Sequence, residues 1–226
     1  MLTRQALLDG SFRKNAEKAV AAAKAVMQIR PEEESKRLFD GFFSARPKDD
    51  IWVFGYGSLM WNPAIEFERR ALATLGGWRR SFCIRDIAGR GSPDFPGLSL
   101  SLEPGDSTNG LAFKLPKQDP KLELSLVWMR EMLSDSYDAI WADVTVDGEK
   151  VNAAVFVANP MSERYVSGLS PSNAAAMIVK ARGPFGTSMD YLSNAVKEVQ
   201  TLGLWDSYLE ETYRLAQDLV SKPSSL

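Results

Sequence analysis

The first uninterrupted apolar run of the chain, Ile-Trp-Val-Phe at 51–54, leads directly into Gly-Tyr-Gly-Ser at 55–58. Branched and aromatic residues in such a run favour a strand that is covered on both faces. Glycines two apart permit positive φ and let another group approach the bare main chain. The amide N–H groups of such a turn can hold a carboxylate. A tight turn after a core strand explains the same pattern, so the turn alone leaves both interpretations open.

The first fifty residues have helical rather than strand periodicity. Residues 11–30 are rich in Ala and Lys, with apolar positions at helical spacing, and predict a helix that stops at Pro31. Pro31 followed by three glutamates suits the first turn of a second helix, whose buried face would be Leu38, Phe39, Phe42 and Phe43. Residues 1–49 are therefore predicted to be an N-terminal helical appendage. The pattern leaves open whether it clamps onto the main domain, forms a dimer contact or stays loosely attached, and we expect no role in chemistry.

The remaining pattern predicts strands first and helices afterwards. We expect a strand pair in 71–86 turning at Gly76-Gly77, a loop over 88–97, and a hairpin in 98–115 turning at Pro104-Gly105-Asp106. Then follow a helix over 119–132, a hairpin of 137–146 with 151–158, and helices over 172–181, 188–201 and 207–220. This order favours an α+β fold over alternating βαβ units.

Length and charge limit the function classes. The 226 residues, 45% of them hydrophobic, are enough for one sizeable core, which we expect over 50–222. A net charge of −2 with both signs interspersed predicts neither a nucleic-acid partner nor binding to an anionic membrane. We see no signal-peptide pattern and no apolar run near the roughly 20 residues of a membrane helix. A cytoplasmic protein is the expectation.

The absence of some residue types excludes more chemistry than any motif adds. The chain has no histidine, which removes Ser-His-Asp triads, HExxH zinc sites and any imidazole base. Cys83 is the only cysteine, so no intrachain disulfide or cysteine-cluster metal site can form. An enzyme built from this chain must use carboxylates, Lys, Tyr, Ser, Cys83 or backbone amides.

The segment VFGYGSLMW at 53–61 resembles the signature of the ChaC-type γ-glutamylcyclotransferases. The similarity covers about 51–204 and leaves out the first fifty residues. It continues in order through GWRRSFC at 77–83, GRGSP at 89–93, PG at 96–97, MREM at 129–132, Tyr137, VNA at 151–153, GPFGT at 183–187 and YL at 191–192. Ser92 stands where the family pattern leads us to expect Thr, and Met129 where we expect a basic residue. Neither departure touches a proposed catalytic group.

The resemblance implies a γ-glutamylcyclotransferase-like fold, a small mixed, barrel-like sheet flanked by helices. It also implies a lyase reaction in which glutathione cyclises to 5-oxoproline and releases Cys-Gly, with no metal, no redox cofactor and no obligate protein partner. The same chemistry on other γ-glutamyl amines or amino acids is the alternative enzyme. A non-catalytic binding or regulatory module linked to cation transport is the alternative from another class.

The resemblance also assigns the site residues. Glu131 matches the general acid/base, although an acid near a helix end is more often a solvated surface group. The loop that would bind the γ-glutamyl moiety comprises Val53, Phe54, Gly55, Tyr56, Gly57, Ser58 and Leu59. Tyr191 is expected to hydrogen-bond substrate, though an aromatic residue on a helix is more often core. Tyr137 and Arg90 are further candidates, and a surface role is the simpler interpretation of Arg90.

Overall fold

The structure is a computed structural model that describes residues 2–25 and 27–221. Residue 222, where the predicted main domain ends, lies outside the described residues. The chain divides into two compact units. The first comprises Met1–Asn15, Met27–Arg80 and Ser101–Ser162, and the second comprises Ala16–Val26, Ser81–Leu100 and Glu163–Leu226, as far as these residues are described.

Five strands form a closed barrel in the order β1, β3, β2, β4, β5. They are β1 (Trp52–Gly55), β2 (Arg69–Asp86), β3 (Gly97–Lys114), β4 (Tyr137–Val146) and β5 (Glu149–Ala158). Strand β1 runs antiparallel to β3, with Val53 opposite Phe113, and parallel to β5, with Val53 opposite Ala154. Strand β1 is buried at every position, as its continuous apolar run predicted. The predicted α+β class and barrel-like sheet are confirmed.

Two predicted hairpins are wrong, because β2 and β3 are each one long strand. Gly77 has φ of +80° inside β2, so this conformation is accommodated within the strand and does not reverse the chain. In β3, a Cβ on Gly105 would lie 2.7 Å from the Arg79 side chain, which shows that this glycine permits a close approach. Glycine inside a strand often marks a bulge or a close approach of another group. That explanation, and not a turn, applies to both glycines here.

The hairpin between β4 and β5 is confirmed. Its strands pair from Tyr137 opposite Ala158 to Val146 opposite Glu149. The two turn residues, Asp147 and Gly148, both have positive φ, at +50° and +85°. Asp-Gly is a favoured pair for such a two-residue turn because both residues tolerate the left-handed region.

The six predicted helices lie at their predicted positions with one clear exception, and two short helices, Arg4–Leu8 and Ser58–Trp61, were not predicted. The helices are α1 (Arg4–Leu8), α2 (Ser11–Ala23), α3 (Glu32–Ser44), α4 (Ser58–Trp61), α5 (Pro120–Glu131), α6 (Pro171–Ile178), α7 (Ser188–Thr201) and α8 (Ser207–Ser221). The exception is the helix predicted to reach Arg30, since α2 ends at Ala23 and Lys24 adopts φ of +49°. No helix in the described ranges is long and apolar enough to cross a membrane.

Within the first unit, helix α3 packs against α5 and β4 through aromatic side chains. Phe42 stacks on Trp141 of β4 with ring centroids 4.6 Å apart, and Phe39 packs edge-on against Trp128 of α5 at 5.6 Å. The Trp128 indole N–H donates to Ser35 Oγ (3.1 Å), and that of Trp141 donates to the Phe42 carbonyl (3.1 Å). Helix α3 therefore packs on α5 and β4, which agrees with the first of the three arrangements left open for residues 1–49.

The second unit contains α6, α7 and α8 together with a short hairpin, β6 (Arg182–Gly183) and β7 (Gly186–Thr187). Helix α7 begins with a capping box, in which Thr187 and Asp190 each accept from the other's backbone N–H. The hairpin lies against the loop that follows β2, because a Cβ on Gly183 would be only 2.2 Å from the Gly89 carbonyl oxygen. This contact fixes the position of the loop residue Arg90 relative to the start of α7.

Candidate active site

The loop after β1 begins in the core. Val53 and Phe54 are completely buried, and a Cβ on Gly55 would lie 3.0 Å from Leu59 Cβ and 3.2 Å from the Phe113 ring. Neither Gly55 nor Gly57 has positive φ, so the prediction of positive φ for these glycines is wrong. At Gly55, close packing of the loop's own residues excludes a larger side chain. Contact of Val53, Phe54 and Gly55 with substrate stays a prediction.

Tyr56 is held by hydrogen bonds at its side-chain hydroxyl and at its backbone carbonyl. Its hydroxyl donates to the Phe156 carbonyl (2.6 Å), and its own carbonyl accepts from Arg80 Nε (2.7 Å). Arg80 is only 6% exposed and also donates to the Asn109 carbonyl (2.6 Å). Buried polar groups are costly unless they are paired, so this set of bonds gives the loop one favoured backbone path.

Ser58 opens the one-turn helix α4, for which Gly57 is the N-terminal cap residue. The first hydrogen bond of this turn runs from the Met60 amide to the Gly57 carbonyl (2.9 Å). The Ser58 hydroxyl oxygen accepts from Arg130 Nη2 at 2.8 Å. Arg130 also donates to the carbonyl oxygens of Asn62 (2.7 Å) and Pro63 (3.2 Å). Arg130 thus joins the end of α5 to both ends of α4.

Glu131 is the last residue of α5, whose first turn is capped by the Asp119 carboxylate accepting from the Leu122 amide (3.1 Å). Its side chain is 15% exposed, and its Oε1 lies 2.8 Å from Arg130 Nε. Burial raises the pKa of Glu131 above its ordinary value, while the Arg130 guanidinium opposes that rise. The interpretation of Glu131 as a solvated surface acid is therefore wrong, because its side chain is mostly buried and paired with Arg130.

Tyr137 lies six positions after Glu131, where β4 begins. It is half-buried and pairs across the hairpin with Ala158. The first unit therefore contains Glu131, Tyr137 and the whole predicted loop from Val53 to Leu59.

Arg90 and Tyr191 belong to the second unit and contact each other there. The Arg90 guanidinium lies 5.7 Å from the centroid of the Tyr191 ring, and its Nη1 donates to the Thr187 carbonyl (3.3 Å). The Asp86 carboxylate accepts from the amides of Gly89 (2.7 Å) and Arg90 (2.9 Å), which shapes the loop around this arginine. Tyr191 is buried, whereas Arg90 is half-buried. Arg90 is thus held by identifiable contacts, as a binding residue would need to be.

Metal ligands are lacking in the described part of the chain, where no group of three or more His, Cys, Asp or Glu side chains is suitably placed. A cavity of about 380 Å³ does lie in the first unit, between the N-terminal helices and α5. Its lining residues include Trp128, Met129 and Leu133 but neither Glu131 nor any residue of the loop from Val53 to Leu59. This cavity is therefore distinct from the candidate site at Glu131 and the loop.

Comparison with known proteins identifies the family. The family model described as "ChaC-like protein" matches residues 51–218. The chain belongs to the ChaC-like family. Its relatives include the glutathione-specific γ-glutamylcyclotransferase of Escherichia coli K12, which is 38% identical over 90% of this chain and 82% of its own length. The γ-glutamylcyclotransferase 2-3 of Arabidopsis thaliana is 30% identical over 78% of this chain and 93% of its own length.

The fold of this ChaC-like chain also matches a solved structure. A glutathione-specific γ-glutamyl cyclotransferase from yeast superposes with a TM-score of 0.68 and 19% identity, covering 75% of this chain and 97% of the other. At this identity the match concerns the fold alone, and it agrees with the γ-glutamylcyclotransferase-like sheet expected from the sequence.

Sequence reasoning missed two residues of this ChaC-like site, Arg80 and Arg130. Both fall inside the motifs quoted for the resemblance, but neither received a role. A usable signal was present for Arg80, because it stands at the start of a run of core residues in β2, where an unpaired charge would be costly. For Arg130, the signal was its position in the last turn of α5, where a positive charge interacts favourably with the helix dipole.

Proposed function

We propose that this chain is a glutathione-specific γ-glutamylcyclotransferase in which Glu131 is the general acid/base. The observation that carries the proposal is the single network in which Arg130 contacts both the Glu131 carboxylate (2.8 Å) and the Ser58 hydroxyl (2.8 Å). The 38% identity to the Escherichia coli enzyme supports glutathione as the substrate. A module without catalysis would not need a buried, proton-accepting carboxyl beside its binding loop.

The reaction moves protons between two nitrogens of the substrate. The α-amino nitrogen of the γ-glutamyl group attacks its own side-chain carbonyl carbon and closes a five-membered lactam, and the bond from that carbon to the cysteinyl nitrogen breaks. Overall, two protons leave the attacking ammonium and two reach the departing nitrogen, which gives 5-oxoproline and Cys-Gly. Glu131 can carry both in turn, since a carboxyl whose pKa is raised by burial accepts a proton readily and returns it.

The loop supplies donors for substrate charge. A guanidinium only donates, so the bond from Arg130 occupies Ser58 Oγ as an acceptor and leaves the hydroxyl hydrogen for another partner. In the proposal this hydrogen and the amides of Gly57 and Ser58 bind the α-carboxylate or the oxyanion that develops on the attacked carbonyl. Their rigid support by Arg80 and Arg130 means that little reorganisation is needed during the reaction.

The remaining candidates are proposed as substrate-binding residues. Arg90 is proposed to bind a substrate carboxylate, because its contacts with Thr187 and Tyr191 orient the guanidinium. Tyr191 and Tyr137 carry hydroxyls able to donate to a peptide carbonyl. We further propose a cytoplasmic location, where glutathione is abundant and a single buried cysteine stays reduced.

The decisive experiment is to incubate the purified protein with millimolar glutathione and to detect 5-oxoproline and Cys-Gly by mass spectrometry. We expect both products in equal amounts, and far less of both with a Glu131→Gln variant. A panel of γ-glutamyl amino acids without a following glycine tests the alternative substrate class. Glutathione binding without product at any pH from 6 to 9 would instead favour the non-catalytic module.

A further inference from the structure

Helix α5, which ends at Glu131, is contacted along its whole length by residues before position 51. Near its first turn, Arg4 forms a two-point bond with the buried Glu123 carboxylate (2.5 and 2.7 Å), and Lys121 pairs with Asp40 (2.9 Å). In its last turn, Trp128 packs against α3. These contacting residues lie outside the 51–218 range of the family match. The segment therefore adds support to the proposed catalytic helix that the matched region does not contain.

The contact nearest Glu131 is made by Arg30. Its backbone amide donates to the Leu133 carbonyl (2.8 Å), and its Nη1 donates to the Met132 carbonyl (2.8 Å). These are the first two carbonyls after Glu131, and carbonyls at a helix end have no donor within the helix. The Arg30 side chain is 11% exposed, and its own carbonyl accepts from Arg13 Nη2 (2.5 Å).

Trp128 is packed against α3 in this last turn, but one side of the turn faces a cavity, where hydrogen bonds add restraint. Trp128, Met129 and Leu133 line the cavity of about 380 Å³ between the N-terminal helices and α5. A side chain beside a cavity lacks contacts on that side and is held less firmly by packing. Directed bonds from Arg30 to the peptide units after Glu131 provide the missing restraint.

We infer that Arg30 is a positioning residue, which fixes the end of α5 and thereby the direction of the Glu131 carboxylate. This inference rests on the proposed function. Arg30 reaches Glu131 only through the backbone, so it takes no part in proton transfer. The effect on rate can still be large, because a displacement of about 1 Å in a catalytic group can cost about 100-fold.

The test compares Arg30→Met with a matched control, Arg46→Met. Arg46 also donates to a backbone carbonyl at a helix end, that of Phe43 (3.0 Å), but its guanidinium lies over the Phe43 ring just beyond the end of α3 and not at the carbonyls that follow Glu131. Both variants lose one positive charge from the same segment. We expect Arg30→Met to lower kcat for glutathione about tenfold or more with KM within twofold, and Arg46→Met to change neither. Arg30→Lys, which keeps a donor, should restore part of the rate.

Hydrogen exchange of the Met132 amide provides a readout that does not depend on activity. This amide donates to the Trp128 carbonyl (2.8 Å) and closes the last turn of α5. We expect faster exchange in Arg30→Met and unchanged exchange in Arg46→Met. Unchanged exchange, or wild-type kcat in a folded Arg30→Met protein, would overturn the inference. If the wild-type protein did not turn over glutathione, the proposed function and the catalytic part of the inference would both be wrong. Hydrogen exchange of the Met132 amide would still decide whether Arg30 fixes this helix end.

Discussion

Arg130 and Glu131 are sequence neighbours whose side chains form an ion pair, with Nε and Oε1 2.8 Å apart and exposures of only 4% and 15%. Consecutive residues on a helix normally point about 100° apart. The pair forms where α5 ends, and Arg130 keeps further bonds to Ser58, Asn62 and Pro63. Arg130 can therefore stabilise the carboxylate while it holds the loop that follows β1.

The first prediction concerns the proton-transfer role of Glu131. Glu131→Gln keeps the shape and an acceptor for Arg130 but cannot carry a proton at neutral pH. Because general acid–base catalysis contributes about 10²–10⁴-fold, kcat should fall by that factor, roughly 3–5 kcal/mol of barrier. Steady-state kinetics and thermal unfolding are measured on one preparation. A folded variant with wild-type kcat would remove Glu131 from the proposed mechanism.

The second prediction concerns stability against pH. Burial raises the pKa of Glu131 in the folded state above the ordinary 4.5, so the folded protein binds more protons than the unfolded chain between these two pKa values. Stability contributed by this group is therefore lost as pH rises through that window. The free energy of unfolding of wild type should decline more with rising pH above about 4.5 than that of Glu131→Gln. Urea titrations of both proteins across this pH range give the two free energies of unfolding. The prediction would be contradicted if these free energies changed equally with pH.

Local patterns predicted those parts of the fold that local interactions decide. Strand β1, helix α5 and the turn at Asp147-Gly148 follow from an apolar run, helical spacing and turn chemistry. Gly77 and Gly105 misled the prediction because a glycine has the same local signature in a turn and inside a long strand. Only the pairing with neighbouring strands decides between them, and no local pattern specifies that pairing.

The site could be predicted only as a set of positions. The resemblance supplied Glu131 and the loop from Val53 to Leu59, but the roles of Arg80 and Arg130 depend on which carbonyls fold beside them. The N-terminal segment was expected to have no role in chemistry. Its contact with the end of α5, through Arg30, joins residues about a hundred positions apart and leaves no trace in the sequence around either.

The third prediction concerns metals. With no histidine, one cysteine, and no three-residue ligand group in the described ranges, we expect activity to survive exhaustive dialysis against a chelator. Product release before and after dialysis is compared at the same protein concentration. Loss of activity that returns on adding zinc or manganese would contradict the proposed mechanism.

The fourth prediction concerns Arg130. Its guanidinium opposes the rise of the Glu131 pKa that burial causes, so Arg130→Met should raise that pKa further. Since Glu131 must be ionised to accept the first proton, the acidic limb of kcat/KM against pH should move to higher pH. Arg214→Met is a suitable control because Arg214 pairs with Asp218 on an exposed helix surface. If the acidic limb of kcat/KM did not move in a folded Arg130→Met protein, Arg130 would have no influence on the ionisation of Glu131.

The last prediction concerns the Ser58 hydroxyl. Its oxygen accepts from Arg130, which leaves the hydrogen to donate to substrate. A hydrogen bond to a charged group contributes about 1.5–3 kcal/mol, so Ser58→Ala should lower kcat/KM by about one to two orders of magnitude. A fall in kcat with KM unchanged would identify the developing oxyanion as the acceptor, whereas a rise in KM alone would identify a charge already present in bound substrate, such as the α-carboxylate. Ser58→Thr, which keeps the hydroxyl, should retain more activity than Ser58→Ala. Equal kcat/KM for wild type and a folded Ser58→Ala protein would mean that the loop acts through its backbone alone.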